Sequence, residues 1–239
     1  YIITIPYSYS LKFTSLSVRD FGGVLGFSAA NRLARSVNLL LKRFLDLTLL
    51  VLSSPLTIPL MLLFCILVKF SSKGPIFYGH KRIGKNDKPI TTWKFRSMVV
   101  DADKRLQELL EKNPEMKKEW NENQKLEHDP RVTRIGEFLR KTSLDELPQL
   151  FNILTGSMSF VGPRPIVENE KKKYGDKFRY IFSVTPGLSG MWQISGRSST
   201  GYEERIMLDT YYIQNWSIWL DIWIILQTCV VVVTRKGAY

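Results

Sequence analysis

At 239 residues the chain holds one good-sized domain, or a domain with an attached segment, and is long enough to bury a real core. Its 34 Lys and Arg against 22 Asp and Glu leave a formal charge of +12, which points to a polyanionic partner or an anionic membrane surface without choosing between them. The two cysteines, Cys65 and Cys229, lie in apolar runs with no partner at metal-ligand spacing, so neither a zinc site nor a disulfide scaffold is indicated.

Because the first residue is Tyr1 rather than Met, the sequence is expected to be a piece of a longer chain. Residues 1–30 alternate β-branched and aromatic residues with polar ones and carry Gly22-Gly23, a pattern that predicts strands joined by a turn at the end of a truncated N-terminal region. Residues 31–46, "NRLARSVNLLLKRFLD", have a helical period with Arg32, Arg35, Lys42 and Arg43 on the polar side, which predicts a basic amphipathic helix.

From Leu47 to Val68 no residue is charged, and at about 1.5 Å per residue the run is long enough to cross a core of about 30 Å as a straight helix. Ser53-Ser54-Pro55 interrupts it, however, and Pro59 follows; each proline removes a backbone donor and bends a helix. Both flanks are basic, Lys42 and Arg43 before it, Lys69 and Lys73 after it. Basic flanks favour the cytoplasm, so entry and return on one side satisfies both. A re-entrant hairpin broken at Ser54-Pro55 is the preferred expectation, with a bent transmembrane helix as its rival. Residues 31–70 are therefore read as a membrane-associated unit.

Residues 71–239 read as one mixed α+β unit: short strands around the Gly-Lys-Asn-Asp turn of 74–98, then a highly charged helical stretch over 101–129 broken at Asn113-Pro114. In the tail, Trp216, Trp219 and Trp223 recur at helical spacing among isoleucines and leucines, as in an amphipathic helix lying in the headgroup zone.

The stretch "KTSLDELPQLFNIL", Lys141 to Leu154, puts adjacent acids ahead of an apolar run. Ser143 and Glu146 have capping-box spacing, and Pro148 costs nothing in a first turn, which predicts a helix beginning near Leu144 or Asp145. Against a purely structural cap stand several cations: Lys94 and Arg96 in "WKFRSM", Arg131, Arg134, Arg140 and Lys141 upstream, and Arg164 held between Pro163 and Pro165. Prolines on both sides of an arginine fix its backbone and favour aiming a planar guanidinium at phosphate oxygens. A carboxylate can attack phosphorus to give an acyl phosphate, dividing one difficult transfer into two steps.

The stretches "YGHKRIGKNDKPITTWKFRSM", "HDPRVTRIGEFLRKTSLDELPQLFNILTGSMSFVGPRPIV" and "TPGLSGMWQISGRSS" with "YEERIMLDTYYIQNWSIWLDIWIILQT" closely resemble the bacterial sugar transferase family, the polyprenol-phosphate hexose-1-phosphate transferases or monotopic phosphoglycosyl transferases, from about Leu40 to the C-terminus. The likeness is greatest to undecaprenyl-phosphate galactose phosphotransferases. It implies transfer of a hexose 1-phosphate, galactose first and glucose second, from a UDP-sugar to undecaprenyl phosphate, with release of UMP and initiation of an O-antigen, capsule or exopolysaccharide repeat. It also implies Asp145 as the nucleophile, Glu146 as its partner in metal binding or proton handling, and Mg²⁺ held by the two. Lys94, Arg140 and Arg164 match phosphate-holding positions, Pro163-Arg164-Pro165 the nucleotide motif, and Ser54-Pro55 the break that turns the membrane helix back. Arg96, Asp129, Arg131 and Arg197 are weaker assignments. The implied location is the cytoplasmic face of the inner membrane, with the bilayer as partner and no nucleic acid. Separately, the N-terminal strands look incomplete alone, and completing them against a second copy makes a homodimer a hypothesis. His80 and His128 carry no assigned role. A polyprenyl-phosphate phosphatase would use the same acids, and a basic binding module would leave them and the charge-free span unexplained.

Overall fold

The computed structural model describes residues 17–20, 25–28, 32–123, 126, 129–196 and 201–234, so Arg197 and His128 lie outside the described residues. A short antiparallel hairpin comes first: β1 (Ser17–Asp20) pairs with β2 (Leu25–Ser28), Ser17 opposite Ser28. After one 3-10 turn at Arg32–Ala34, α1 runs from Ser36 to Ser71.

The amphipathic helix and the charge-free run are thus one helix, about 54 Å long at 1.5 Å per residue, with Pro55 and Pro59 inside it. Pro55 has no N–H to give the carbonyl of Val51; the hydroxyl of Ser54 donates to that oxygen at 2.7 Å instead. Such a side-chain bond lets a proline stay in a helix surrounded by apolar groups. Val51, Leu52, Leu56, Ile58 and Leu62 are all exposed, so among the described residues the middle of α1 has no partner for its apolar surface. Its two ends do. Near the start, Arg43 donates to the carbonyls of Ile153 and Leu154, and Asp46 accepts from the Ser159 hydroxyl and the Phe160 amide. Near the end, Phe64 and Val68 are buried against Phe95 and Leu139.

Next comes a hairpin of β3 (Phe77–Ile83) and β4 (Pro89–Phe95), antiparallel, with Tyr78 opposite Lys94 and Arg82 opposite Ile90. The turn places Asn86 and Asp87 at φ of 56° and 62°, a left-handed conformation those short polar side chains tolerate. The charged stretch forms α2 (Ala102–Lys112) and α3 (Pro114–Asn123), divided at Asn113. Helix α4 (Arg134–Lys141) is capped by Thr133, whose hydroxyl accepts from the Gly136 amide. A 3-10 segment, Leu144–Gln149, leads into α5 (Leu150–Thr155). Strand β5 (Ser159–Val161) lies parallel to β6 (Gly187–Ser189), with α6 (Lys171–Tyr174) and α7 (Phe178–Ile181) between them in sequence. Then follow α8 (Met191–Ser195), α9 (Tyr202–Asn215) and α10 (Ile218–Thr234).

The larger core gathers Val161, Ile166, Tyr174, Phe178, Ile181, Phe182, Tyr212, Ile213 and Trp216. One tryptophan departs from the expected tail stripe. Trp216 is buried and donates its indole N–H to Asp221 at 3.1 Å, whereas Trp219 and Trp223 are exposed. Trp216 precedes α10 and belongs to the core, so the outward stripe is Trp219, Trp223, Leu226 and Val230.

Candidate active site

Alternation along the β3–β4 hairpin sends Tyr78, His80 and Arg82 to the same face as Lys94 and Thr92. The 3-10 segment Leu144–Gln149 packs against β4 on that face and presents both acids to it. The Lys94 ammonium lies 2.6 Å from Oε1 of Glu146 and 3.3 Å from Oδ2 of Asp145, so one cation bridges the acidic pair. All three side chains are largely buried while keeping some exposure, 23% for Lys94, 13% for Asp145 and 23% for Glu146, as reacting groups at a surface cleft require.

The capping-box expectation is corrected here. Ser143 stands at φ 58° and makes no side-chain cap bond, and Glu146 reaches Lys94 rather than back to the Ser143 amide. With Ser143 left-handed, the chain turns sharply between α4 and the 3-10 segment, so both carboxylates face the hairpin. Thr133 does the capping of this region, at α4.

The two acids are poised differently. Burial raises the Asp145 carboxyl above its ordinary value and Glu146 adds to that, with Lys94 opposing. Burial acts on Glu146 in the same direction, but Lys94, Arg164 and Arg82 outweigh it and hold its carboxyl below the usual range. Unequal neighbours thus separate two chemically similar groups into an ionised one and one that takes up a proton more readily.

Arg140 reaches the site from the last turn of α4, its Nε donating to the Ser97 hydroxyl at 2.8 Å, and its charge acts on Asp145. Gly136 makes that placement possible: a Cβ there would stand 2.0 Å from the Ser97 carbonyl, so only glycine lets α4 lie on this backbone. Arg164 follows a similarly close crossing, where a Cβ on Gly187 would stand 2.0 Å from the Gly162 nitrogen. The Gly187 amide donates to the Pro163 carbonyl at 2.9 Å, tying Pro163-Arg164-Pro165 to β6.

Of the sequence-derived set, Lys94, Arg140, Asp145, Glu146 and Arg164 come together, with Pro163 and Pro165 flanking the last. Arg96 does not join them. It is 7% exposed and donates to the carbonyl and hydroxyl of Ser72, at 2.7 and 3.0 Å, just past the end of α1. A cation there complements the negative end of a helix dipole. Arg131 is closed off by a two-pronged pair with Asp129, at 2.8 and 2.6 Å. Ser54 and Pro55 lie within α1, as described above.

Sequence reasoning missed Arg82, Glu170, Tyr202 and Arg205. Arg82 stands 3.9 Å from Glu170, which accepts from the Tyr202 hydroxyl at 2.6 Å, and its charge acts on Glu146. The period-2 match of Arg82 with Lys94 across the hairpin is the signal available in the sequence. His80 lies on this face too, its imidazole pushed below its ordinary pKa by burial and by Arg82, Lys94 and Arg164.

Among the described residues no group of three or more His, Cys, Asp and Glu is arranged to hold a metal ion. Two adjacent carboxylates fit a hard cation that takes its remaining ligands from substrate phosphates and water, as Mg²⁺ does.

A family model described as "Bacterial sugar transferase" matches residues 37–235. The undecaprenyl-phosphate galactose phosphotransferase of Salmonella typhimurium is 44% identical over 209 residues, 87% of this chain and 44% of that protein. The exopolysaccharide production protein ExoY of Sinorhizobium fredii is 47% identical over 198 residues, covering 83% of this chain and 88% of its own length. The UDP-glucose:undecaprenyl-phosphate glucose-1-phosphate transferase of Escherichia coli is 36% identical over 247 residues, 100% of this chain and 50% of that protein. The chain thus spans about half the length of several of its longer relatives.

Proposed function

We propose, on the premise that the chain belongs to the bacterial sugar transferase family, that it transfers a hexose 1-phosphate from a UDP-sugar to undecaprenyl phosphate and so begins a surface-polysaccharide repeat unit. The observation that carries this reading is the largely buried Asp145–Glu146 pair bridged by Lys94, with Arg82, Arg140 and Arg164 around it. A carboxylate oxygen of Asp145 attacks the phosphorus that bears the sugar, the bond from that phosphorus to the UMP oxygen breaks, and UMP leaves. A phosphate oxygen of the lipid then attacks the same phosphorus and the Asp145 carboxylate is released. Lys94 keeps a fraction of Asp145 ionised against the effect of burial, and the arginines offset the charge of the transferring and leaving phosphates.

Asp145 and Glu146 would hold Mg²⁺ together with the donor phosphates, and the ion would neutralise charge on the transferring group. Galactose is the first-choice hexose, because relatives named for galactose are 40 to 44% identical and those named for glucose 36%. The site faces the cytoplasm at the inner membrane, and α1 enters and leaves on that side. Support for the return is that Lys42, Arg43 and Asp46 near one end of α1, and Phe64 and Val68 near the other, dock on the same folded unit. Among the described residues the β1–β2 ribbon has two strands, and a second copy would extend it into a dimer contact.

Asp145→Asn tests the chemistry, since Asn is close to Asp in size and removes only the ionisable oxygen. Wild type with UDP-galactose, Mg²⁺ and undecaprenyl phosphate should release UMP, and without the lipid should gain the mass of a hexose phosphate. The variant should do neither while keeping its melting temperature. Undiminished turnover in the variant would remove Asp145 from the reaction, and inorganic phosphate in place of UMP would make the protein a phosphatase.

A further inference from the structure

Beside Arg164, on the side of α8 and α9, lies a cluster that the reaction as described does not use. The guanidinium of Arg164 sits 5.7 Å from the Trp192 ring, and that of Arg205 sits 4.5 Å from the same ring. Arg205 is 6% exposed and is boxed by two further rings, Tyr174 at 5.6 Å and Tyr202 at 5.8 Å. Its Nη2 also approaches the Arg164 carbonyl, at 3.5 Å.

This arrangement is poor for folding. The Nε of Arg205 and the indole N–H of Trp192 are buried with no hydrogen-bond partner among the described residues. Buried polar groups left unmatched favour the unfolded chain, and an apolar filling of the same volume would serve stability better. The Arg205 charge is met by Glu170 and Asp209; its unmatched Nε and the unmatched Trp192 N–H are what point beyond packing in this cluster.

What it touches is Arg164. Among the described residues no carboxylate or carbonyl holds the Arg164 guanidinium; the Trp192 ring is the surface it rests on, while its charge reaches Glu146. A flexible arginine facing a phosphate site loses rotamer freedom when it binds, and a planar support that restricts it beforehand reduces that loss.

We propose that Trp192 and Arg205 are positioning residues for Arg164: Arg205, fixed in its aromatic box, holds the indole and the Arg164 backbone, and the indole aims the Arg164 guanidinium at the leaving nucleotide phosphate. The inference rests on the transferase reading above. It assigns the aromatic and basic residues of α8 and α9 to binding of the nucleotide half of the donor rather than to the transfer step itself.

The test is a double-mutant cycle on the 239-residue chain in lipid particles, with UDP-galactose varied and UMP release followed. Trp192→Leu should raise KM for UDP-galactose about tenfold, the scale of a lost cation–π contact, with kcat within about threefold. Trp192→Phe should recover most of the loss, and Arg205→Lys, which keeps charge but not the planar stack, should raise KM about fivefold. In an Arg164→Ala background, Trp192→Leu should have no further effect on KM. Calorimetry with UMP alone should show the same pattern. If Trp192→Leu lowers the melting temperature, the cycle run with Arg205→Lys decides in its place. Additive effects in an enzyme that turns over would overturn the inference and leave the transferase reading intact. Absence of UMP release and of UMP binding in the wild type would overturn both.

Discussion

The ammonium of Lys42, near the start of α1, lies 2.7 Å from Oδ2 of Asp221 on α10, 179 residues further along the chain, with side-chain exposures of 7% and 1%. The pair is fully served: Tyr212 donates its hydroxyl to the other Asp221 oxygen at 2.7 Å, and Trp216 donates its indole N–H at 3.1 Å. It fastens the membrane-associated helix to the C-terminal helices. Removing one partner of a buried pair strands the other, so Lys42→Met should cost about 3 kcal/mol in thermal unfolding at fixed detergent or lipid composition. The exposed Lys141–Glu137 pair is the control. Both of its side chains are well over half exposed, and Lys141→Ala should change stability by less than about 0.5 kcal/mol. Equal losses from the two variants would mean that the Lys42 pair contributes no more than a surface contact.

In the proposed reaction Lys94 sets the protonation of Asp145, the acid assigned to attack. Burial raises Asp145, Lys94 is the largest opposing influence, and the nucleophile is the ionised form. Activity is therefore lost as pH falls through the raised Asp145 value. Lys94→Gln should move the acid limb of the kcat/KM profile to higher pH and lower activity at pH 7 on the order of a hundredfold. A profile that falls in height with its acid limb unmoved would show that Lys94 serves the phosphates alone.

How much of this was legible follows from the range of each interaction. The charge-free apolar run, the division at Asn113-Pro114 and the Gly-Lys-Asn-Asp turn are local, and the helices and β3–β4 hairpin observed there follow from residues a few positions apart, although α1 runs on through Pro55 and Pro59 where a break was expected. The acids were visible, but their local pattern suggested a capping box, which a left-handed Ser143 overrode. That conformation is selected by packing of the 3-10 segment on β4, about fifty residues earlier in the chain, and no short motif encodes it. Arg82 was one step of strand alternation away from being found. Trp192 and Arg205 were not findable this way, since their meeting depends on α8, α9 and the Arg164 turn converging. Arg96 shows the reverse error: it stands two residues from Lys94, where strand alternation would put both on one face, but β4 ends at Phe95 and the Arg96 side chain reaches Ser72 instead.

Asp209 gives a pH-dependent stability with a definite sign. Burial raises its carboxyl from 3.8 to about 7, with Arg205 opposing, and its Oδ2 has no hydrogen-bond partner among the described residues. Between those two values the folded protein holds a proton that the unfolded chain has released. The contribution of this group to stability is thus greatest below the unfolded value, declines as pH rises through the window, and is flat above the folded value. Asp209→Asn removes the titration. It should be more stable than wild type at pH 8, by on the order of 1 to 2 kcal/mol, and no more stable at pH 4. A variant equally weakened at both pH values would show that the carboxylate form is needed by the fold.

The last prediction concerns the path of α1. A helix that crossed a bilayer would put its ends on opposite faces, about 30 Å apart along the normal. Here the residues near both ends are committed to one folded unit: Asp46 accepts from Ser159 and Phe160, while Phe64 lies 6.1 Å from Phe95 and 6.2 Å from Phe138, ring to ring. Between them the apolar side chains are exposed and have no packing partner among the described residues. Single cysteines at Ser36 and Ser71, in a chain with Cys65 and Cys229 replaced by serine, should therefore react alike with a membrane-impermeant maleimide. Both should label in inverted inner-membrane vesicles and neither in intact spheroplasts. Labelling of one site from each side would establish a full crossing, and the docking of both ends would then have to come apart in the membrane. The same chain with Ser54→Ala should show a smaller change, because the Val51 carbonyl then has neither the Pro55 N–H nor the serine hydroxyl, an unmet acceptor of about 1 kcal/mol, read as a lower melting temperature with unaltered labelling.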